Sequence, residues 1–174
     1  ENTAIGYQAL YTNVNGKNTA VGSYSMYWNY SGYYNTAVGS GSLQNNSNGI
    51  ENTAIGYNSL NANNTGYKNT ALGYFSLLDN VSGFLNTAIG GESLFSNTSG
   101  SYNTGLGMNS LASNTIGSRN TAVGNNSLYG NISGDNNVAL GNQAGTTLIT
   151  GDNNIIIGYL SQPTTGSVSN QITL

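Results

Sequence analysis

One five-residue motif recurs along the chain at an almost constant interval, and this recurrence restricts the possible folds more than any other feature. The motif, Asn-Thr-Ala-aliphatic-Gly, opens a longer pattern, N-T-A-[IVL]-G-x-x-S-[LM]-x-x-N-x-[ST]-G-x-x. The first interval is shorter by a single residue, and all the later intervals are equal. A repeat of fixed period predicts that each copy forms one unit of a stacked architecture. The copies begin at Asn2, Asn18, Asn35, Asn52, Asn69, Asn86, Asn103, Asn120, Asn137 and Asn154.

Three columns of equivalent positions stay apolar from copy to copy. A disordered chain has no need to keep such residues in register, so we expect an ordered fold. The alanine column holds Ala4, Ala20, Ala37, Ala54, Ala71, Ala88, Gly105, Ala122, Ala139 and Ile156. The aliphatic column holds Ile5, Val21, Val38, Ile55, Leu72, Ile89, Leu106, Val123, Leu140 and Ile157. The leucine column holds Leu10, Met26, Leu43, Leu60, Leu77, Leu94, Leu111 and Leu128, and then fails at Gly145.

Each copy, at about 17 residues, is too short for a helical repeat, which needs roughly 33 to 47 residues. It contains two short strand-like runs separated by glycine and by N-x-[ST]-G, which is turn chemistry. We therefore predict an all-β fold, a parallel β-solenoid of about ten coils. Stacking at about 4.8 Å per coil would give a rod roughly 43 Å long. The shaft is predicted over residues 1–158, with residues 159–174 as a degenerate final coil leading to a distal domain. Because Glu1 opens within a repeat, we expect a piece of a longer protein.

Strand geometry assigns the recurring side chains to faces. Side chains alternate across a strand, so Thr53 and Ile55 should share one face while Ala54 takes the other. We predict that the aliphatic and leucine columns form the structural core. Stacked asparagines are expected to form amide ladders and to shape turns, and the glycines to supply positive φ or close approach.

A single coil is expected to gain little stability by itself. It buries about two aliphatic side chains at roughly 1.5–3 kcal/mol each, whereas ordering the backbone costs on the order of 1–2 kcal/mol per residue. A threefold assembly, with chains side by side or intertwined, would bury a second face. Either the small alanine column lies at the interface between chains, or it lines a narrow interior while the aliphatic column forms the interface.

Composition argues against several functional classes. Only 5% of residues are charged and the net charge is −3, so the three basic residues cannot form a nucleic-acid-binding surface. The chain has no cysteine and no histidine, and its six acidic residues are scattered over different columns. We expect no catalytic residues, metal site or cofactor, and therefore no enzyme. No apolar run is long enough to insert into a membrane.

The repeat resembles those of trimeric surface fibres. Ala37-Val38-Gly39-Ser40-Gly41-Ser42 and Ala54-Ile55-Gly56-Tyr57-Asn58-Ser59 resemble the head repeats of YadA-type trimeric autotransporter adhesins, and still more the "NTAIG" repeats of phage tail-fibre proteins. The adhesin repeat is usually shorter and carries Val in place of Thr53. The closing segment, 154–174, resembles the point where such shafts meet a distal domain. The resemblance implies a left-handed β-roll and a homotrimer in an extracellular location, either on a virion tail fibre or on a cell surface.

The functional hypothesis is a structural and adhesive fibre segment. It would be a rigid trimeric shaft whose distal tip binds a receptor, such as a cell-surface glycan or protein. The alternative is an ice-binding solenoid that uses the regular threonine column. That column comprises Thr3, Thr19, Thr36, Thr53, Thr70, Thr87, Thr104 and Thr121.

An aromatic segment is the sharpest local departure from the repeat. It contains the only tryptophan and five of the 13 tyrosines. Aromatic rings beside amides suit sugar stacking and hydrogen bonding, so this segment is a candidate glycan contact. Packing of the rings across adjacent coils is the favoured interpretation, because exposed apolar surface is common in proteins. The candidate residues are Tyr24, Tyr27, Trp28, Tyr30, Tyr33 and Tyr34.

Three further features have both functional and structural interpretations. The penultimate column changes from Tyr33, Ile50, Tyr67 and Phe84 to Ser101, Ser118, Asp135 and Asp152, which suggests inter-chain packing or a partner-binding strip. Asp135 and Asp152 are expected to be turn residues, because each lacks the several oxygen ligands that Ca²⁺ requires. The Asn-x-[Ser/Thr] sequons are interpreted as turns that the repeat imposes, with glycan acceptance as the alternative. The sequons considered are those at Asn29, Asn45, Asn63, Asn80, Asn97 and Asn131.

Overall fold

The fold is a stack of coils joined by one long parallel sheet. The computed structural model describes residues 1–174 and contains no helix. The strands pair in chain order, each with the strand of the next coil. A parallel β-solenoid of about ten coils, with about 17 residues per turn, is therefore confirmed. The strands are β1 Thr3–Ile5, β2 Thr19–Val21, β3 Thr36–Val38, β4 Thr53–Ile55, β5 Thr70–Leu72, β6 Thr87–Ile89, β7 Thr104–Leu106, β8 Thr121–Val123, β9 Val138–Leu140, β10 Ile155–Ile157 and β11 Ile172–Thr173.

The register of the sheet reproduces the sequence repeat without a slip. Thr53 pairs with Thr70 and Ala54 with Ala71, so every column of the sequence becomes a physical column along the rod. The short first copy keeps this register, because Ala4 pairs with Ala20 despite the shorter interval. The C-terminal segment continues the stack, since β11 pairs with β10. No helix in the structure is long and apolar enough to cross a membrane.

Each coil has one strand, where two strand-like runs were predicted. The Ser-Leu run is a turn segment in which the leucine has a positive φ, 51° at Leu60. It still bonds to the next coil, because the Leu60 N–H donates to the carbonyl of Ser76 at 2.8 Å. Branching at Cβ is strongly disfavoured in left-handed backbone. This explains why the leucine column contains Leu and Met but no Ile or Val.

The interior of the coil is lined by the alanine and leucine columns. Ala54 and Leu60 are fully buried and belong to one continuous core of 17 residues. The prediction for the leucine column is therefore confirmed, with Leu10 packed against the end of the core and only partly buried. Of the two arrangements considered for alanine, the one that places it in a narrow interior is correct. The confirmed core leucines are Leu43, Leu60, Leu77, Leu94, Leu111 and Leu128.

The aliphatic column lies on the outer face of the sheet, so its assignment to the interior of the chain is wrong. Ile55 is 38% exposed and Leu72 is 43% exposed. The physical reason is the thinness of the coil: the hydroxyl of Ser25 reaches the carbonyl of Ala37 at 3.2 Å, which leaves no space for a branched side chain. The outward residues are Ile5, Val21, Val38, Ile55, Leu72, Ile89, Leu106, Val123 and Leu140, and Ile157 follows them.

Two buried asparagine ladders run along the rod, as predicted. In the first, Oδ1 of Asn35 accepts from the backbone N–H of Asn52 at 2.9 Å, and the Asn52 amide donates to the carbonyl of Gly66 at 2.9 Å. In the second, the amide of Asn63 donates to Oδ1 of Asn46 at 2.7 Å. A buried amide without partners is costly, so the ladders also fix the register.

The irregular end of the leucine column is compensated from a neighbouring column. Gly145 replaces leucine and Ala144 replaces the usual serine, and in the next coil Ile156 occupies the alanine position. A Cβ built on Gly145 would lie 2.9 Å from Cδ1 of Ile156, so the larger side chain fills the vacated volume. Leu148 is also fully buried there. Packing density is thus kept where the repeat pattern is lost.

Candidate functional site

The outer face of the sheet is the most extended candidate surface. It consists of the threonine column and the aliphatic column, which point outward on either side of the buried alanine column. Neither column contains a charged residue in any copy. Neighbouring residues of a column are about 4.8 Å apart, so the face is a regular, uncharged strip along the whole rod. In β9 and β10 the threonine position becomes Val138 and Ile155, which makes that end of the strip fully aliphatic.

This strip has the character of a binding surface and contains no catalytic groups. Exposed members of the aliphatic column include Val38 at 36% and Leu140 at 47%. Large contiguous apolar patches on a protein surface usually mark contacts with another molecule. Threonine hydroxyls and aliphatic side chains provide neither a general base nor a nucleophile activated by one. The face is suited to packing or to ordering a regular partner surface.

The predicted aromatic site divides into two groups. Tyr27 contacts Trp28 edge-to-face at a centroid distance of 4.6 Å, and Tyr24 lies 5.6 Å from Tyr27. Tyr30 stacks on Trp28 at 6.1 Å. The group extends into the first coil, where Tyr11 stacks on Tyr27 at 5.1 Å. Four of the six predicted residues therefore form one aromatic surface, and Trp28 in it is 38% exposed.

Tyr33 and Tyr34 form a separate pair beyond the turn at Gly32. Their rings lie 5.2 Å apart, edge-to-face. The Lys17 ammonium donates to the Tyr34 hydroxyl at 2.9 Å, and this hydrogen bond raises the pKa of Lys17. The backbone bends at Tyr30 and Ser31, so residues close in sequence do not share one surface here. Neither residue touches the Trp28 group through a ring contact.

The penultimate column of the repeat changes from apolar to polar side chains, and each half contacts the neighbouring coil in its own way. In its apolar half, Tyr67 stacks on Phe84 at 4.8 Å with nearly parallel rings. In its polar half each side chain accepts a hydrogen bond from the backbone N–H one coil earlier, as Ser118 does from Ser101 at 3.1 Å. Asp135 and Asp152 do the same, so these carboxylates serve the backbone as turn residues. No three acidic side chains lie close enough together to hold a metal ion.

Most of the Asn-x-[Ser/Thr] sequons that were interpreted as turns lie inside the second asparagine ladder. Asn63, for example, is fully buried and hydrogen-bonded to Asn46 and Gly66. Their interpretation as structural residues of the turn is supported for Asn29, Asn63, Asn80, Asn97 and Asn131. Asn45 differs, because its side chain is exposed and bonds to Asn61 on the surface.

All three basic residues of the chain share the last column of the repeat. Lys17, Lys68 and Arg119 are spaced three coils apart, or about 14 Å along the rod. Each has a neighbour in the same column: Lys68 lies 3.7 Å from Glu51, and Arg119 lies over the Tyr102 ring at 5.8 Å. Their cations are therefore engaged individually and form no continuous basic patch.

Sequence analysis missed a groove that lies away from the outer face of the sheet. It crosses the coils that begin at Asn69, Asn86, Asn103 and Asn120 and has a volume of about 490 Å³. The available signal was a large–small–large pattern at Phe95, Ala112 and Tyr129, which share one column. Nearby, partial burial raises the pKa of Asp79 above its usual value of 3.8.

Comparisons with protein-family models, curated proteins and solved structures give no match for this chain. Function is therefore inferred from the residues and surfaces of the chain itself.

Proposed function

We propose that the chain is a rigid structural segment of a surface fibre, in which three copies pack laterally through the outer face of the sheet. The observation that carries the proposal is the uncharged strip of threonine and aliphatic columns. A monomeric surface of this length is expected to include charge for solubility, whereas an interface between chains loses charge at its centre. The ladder-stabilised stack gives such a segment stiffness.

The free energy available from this strip supports assembly. Ile55, Leu72 and their equivalents leave roughly two fifths of their surface exposed. Full burial of such a side chain contributes about 1.5–3 kcal/mol, so burying the remainder contributes about 0.6–1.2 kcal/mol. Seven members of the column have this degree of exposure or more. Together they would contribute on the order of 4–8 kcal/mol per chain towards the cost of association.

The proposed role is to hold a distal tip away from a virion or cell surface. The uniform coils, the absence of a catalytic constellation and the resemblance to fibre repeats favour this role over that of an enzyme. In this proposal the receptor, a cell-surface glycan or protein, contacts mainly the tip. The fibre would work outside the cell, with further copies of the chain as its structural partners.

Sedimentation equilibrium tests the assembly. We expect the particle to have three times the chain mass of 18.0 kDa. Leu72→Lys, on the outer face of the sheet, should shift the distribution towards monomer. Val81→Lys is the matched control, because Val81 belongs to the same coil, is also 43% exposed and lies half a turn away. A stable monomer, or equal effects of the two variants, would contradict the proposal.

The second candidate function is ice binding through the threonine column. The observation in its favour is that Thr53, Thr70 and their equivalents point outward in strict register. The two proposals compete for one face, since a strip buried between chains cannot contact ice. Thermal hysteresis in a solution of monomer, lost in a Thr53→Tyr variant, would favour ice binding. Its absence would leave the fibre as the sole candidate.

A further inference from the structure

The groove missed by sequence analysis combines an apolar floor with polar walls. Phe95 and Tyr129 flank Ala112, which is only 8% exposed. Phe75 and Leu78 extend the apolar part beside Phe95. The polar lining residues are Glu92, Ser96, Asn109 and Ser113.

The stacking of coils creates the groove. Phe95, Ala112 and Tyr129 occupy the same position in three successive coils, so the two aromatic residues are two steps, or about 9.6 Å, apart. Ala112 provides a methyl group where its neighbours have rings, which leaves a gap open to solvent. Phe95 is held in place by Phe75, whose ring centroid lies 6.3 Å away. Tyr129 has no aromatic neighbour and is 45% exposed, so its ring is free to contact a ligand.

The polar side chains around this groove have no hydrogen-bond partner within the chain. Glu92 offers carboxylate oxygens, Asn109 offers an amide, and Ser96 and Ser113 offer hydroxyls. The equivalent side chains two to three coils earlier behave differently.

In those earlier coils Oδ1 of Asn58, which shares the column of Glu92 and Asn109, accepts a hydrogen bond from the Asn61 amide at 3.4 Å. The amide of Asn45, which shares the column of Ser96, donates to Oδ1 of Asn61 at 3.1 Å. The same columns are thus internally satisfied in one part of the rod and left available in another. Unused donors and acceptors beside an apolar floor are the arrangement found in small-molecule sites.

We propose that this groove binds a neutral carbohydrate. A sugar ring has an apolar face that can lie on the ring of Phe95 or Tyr129, and hydroxyls at its edge that match the polar side chains. The Glu92 carboxylate accepts hydrogen bonds from sugar hydroxyls, and such charge-assisted bonds are stronger than neutral ones. The Asn109 amide both donates and accepts, as a hydroxyl-rich ligand requires.

Other ligand classes fit the groove less well. No basic residue lines it, which disfavours phosphate, nucleic acid and acidic sugars. Its single carboxylate, Glu92, is surrounded by neutral polar groups that favour multiple hydroxyls over one cation. The groove does not involve the outer face of the sheet. Carbohydrate binding and lateral assembly can therefore be tested independently of each other.

The test is titration of the intact chain with a panel of neutral oligosaccharides: cello-, malto-, galacto- and chito-oligosaccharides, each of four to six sugar units. Binding is followed by saturation-transfer NMR and calorimetry. We expect at least one of them to bind saturably. Ala112→Tyr should abolish this binding by filling the gap, and the column already accepts tyrosine at Tyr11, Tyr27 and Tyr129. Tyr129→Ala should weaken binding about tenfold through loss of ring stacking.

Two variants are matched controls. Gln44→Tyr makes the same kind of substitution in the same column, four coils from Ala112, and should leave binding unchanged. Trp28→Ala tests the aromatic surface at the other end of the rod and should also leave binding unchanged. Thermal melts followed by circular dichroism verify that each variant is folded. The proposal is overturned if no oligosaccharide binds saturably, if Ala112→Tyr still binds, or if binding is lost in Trp28→Ala.

Discussion

The positive φ of the leucine column makes a specific prediction for one isomeric substitution at two positions. Leu60 is fully buried with φ 51°, whereas Leu72 is a strand residue of the outer face and is 43% exposed. Leu→Ile adds and removes no atoms and only moves the branch from Cγ to Cβ. The two variants therefore differ in the backbone conformation and the burial of the substituted position. Ile already occupies the column of Leu72 at Ile55 and Ile89, but it never occupies the column of Leu60.

The expected magnitudes differ several-fold. Leu60→Ile should lower the free energy of unfolding by about 2–3 kcal/mol, the sum of two costs. Repacking a volume-conserving swap costs less than about 1.5 kcal/mol. Leu60 already carries the ordinary cost of left-handed backbone, and a branched Cβ, which is a genuine outlier there, adds strain of about 1–2 kcal/mol. Leu72→Ile should change it by no more than about 0.5 kcal/mol, because strand backbone accepts a branched Cβ and the column already contains Ile55 and Ile89.

Urea unfolding followed by far-ultraviolet circular dichroism measures both variants. All samples need equal chain concentration, because assembly contributes to apparent stability. Hydrogen exchange around Leu60 checks whether the loss is local, since a solenoid can open coil by coil. Leu60→Met is the control: Met26 shows that the column accepts an unbranched side chain, and the cost should stay below about 1.5 kcal/mol. If Leu60→Ile is no worse than Leu60→Met, the conformational explanation is refuted.

Three further predictions concern the interior, the titration behaviour and the close approach of coils. Asn63→Ala should cost on the order of 3 kcal/mol in urea unfolding, because it breaks the buried ladder, whereas the exposed Asn64→Ala should cost almost nothing. Since burial raises the pKa of Asp79, the folded state binds a proton more tightly than the unfolded state, and stability falls as pH rises from 3.8 through the folded pKa. Asp79→Asn should therefore melt at a higher temperature than the unsubstituted protein at pH 7, and this difference should disappear below pH 3.8. An equal difference in melting temperature at both pH values would argue against this cause. Gly56→Ala should prevent native stacking, seen as lost strand signal, because Gly56 has φ 136° and an added Cβ would lie 2.5 Å from the carbonyl oxygen of Gly73.

The stacked-coil architecture was predictable because the repeat leaves few alternatives. A constant period with alanine, leucine and asparagine in register requires equivalent residues to lie above one another. That arrangement gives a parallel sheet and amide ladders, and both are present. The strand at Thr53–Ile55 and the buried Leu60 follow from the same pattern.

The candidate surfaces were less predictable, because they depend on contacts between residues distant in sequence. The six aromatic residues of one short segment separate at the turn around Gly32 into two groups. The groove at Ala112 arises from residues one full coil away on either side, and its polar side chains are available only because no neighbouring coil satisfies them. A search for local motifs does not detect such relations.

The sequence by itself determined that the chain forms a register-locked stack, because only stacking explains columns that repeat over ten copies. Tertiary structure decided which side of each strand faces inward. The alternation of side chains along a strand places Ala54 on one face and Thr53 and Ile55 on the other. It does not show which of the two faces is buried. The seryl and leucyl side chains of the opposite wall leave room only for a methyl group. The alanines therefore turn inward, and the aliphatic column remains outside as the surface most suited to a partner.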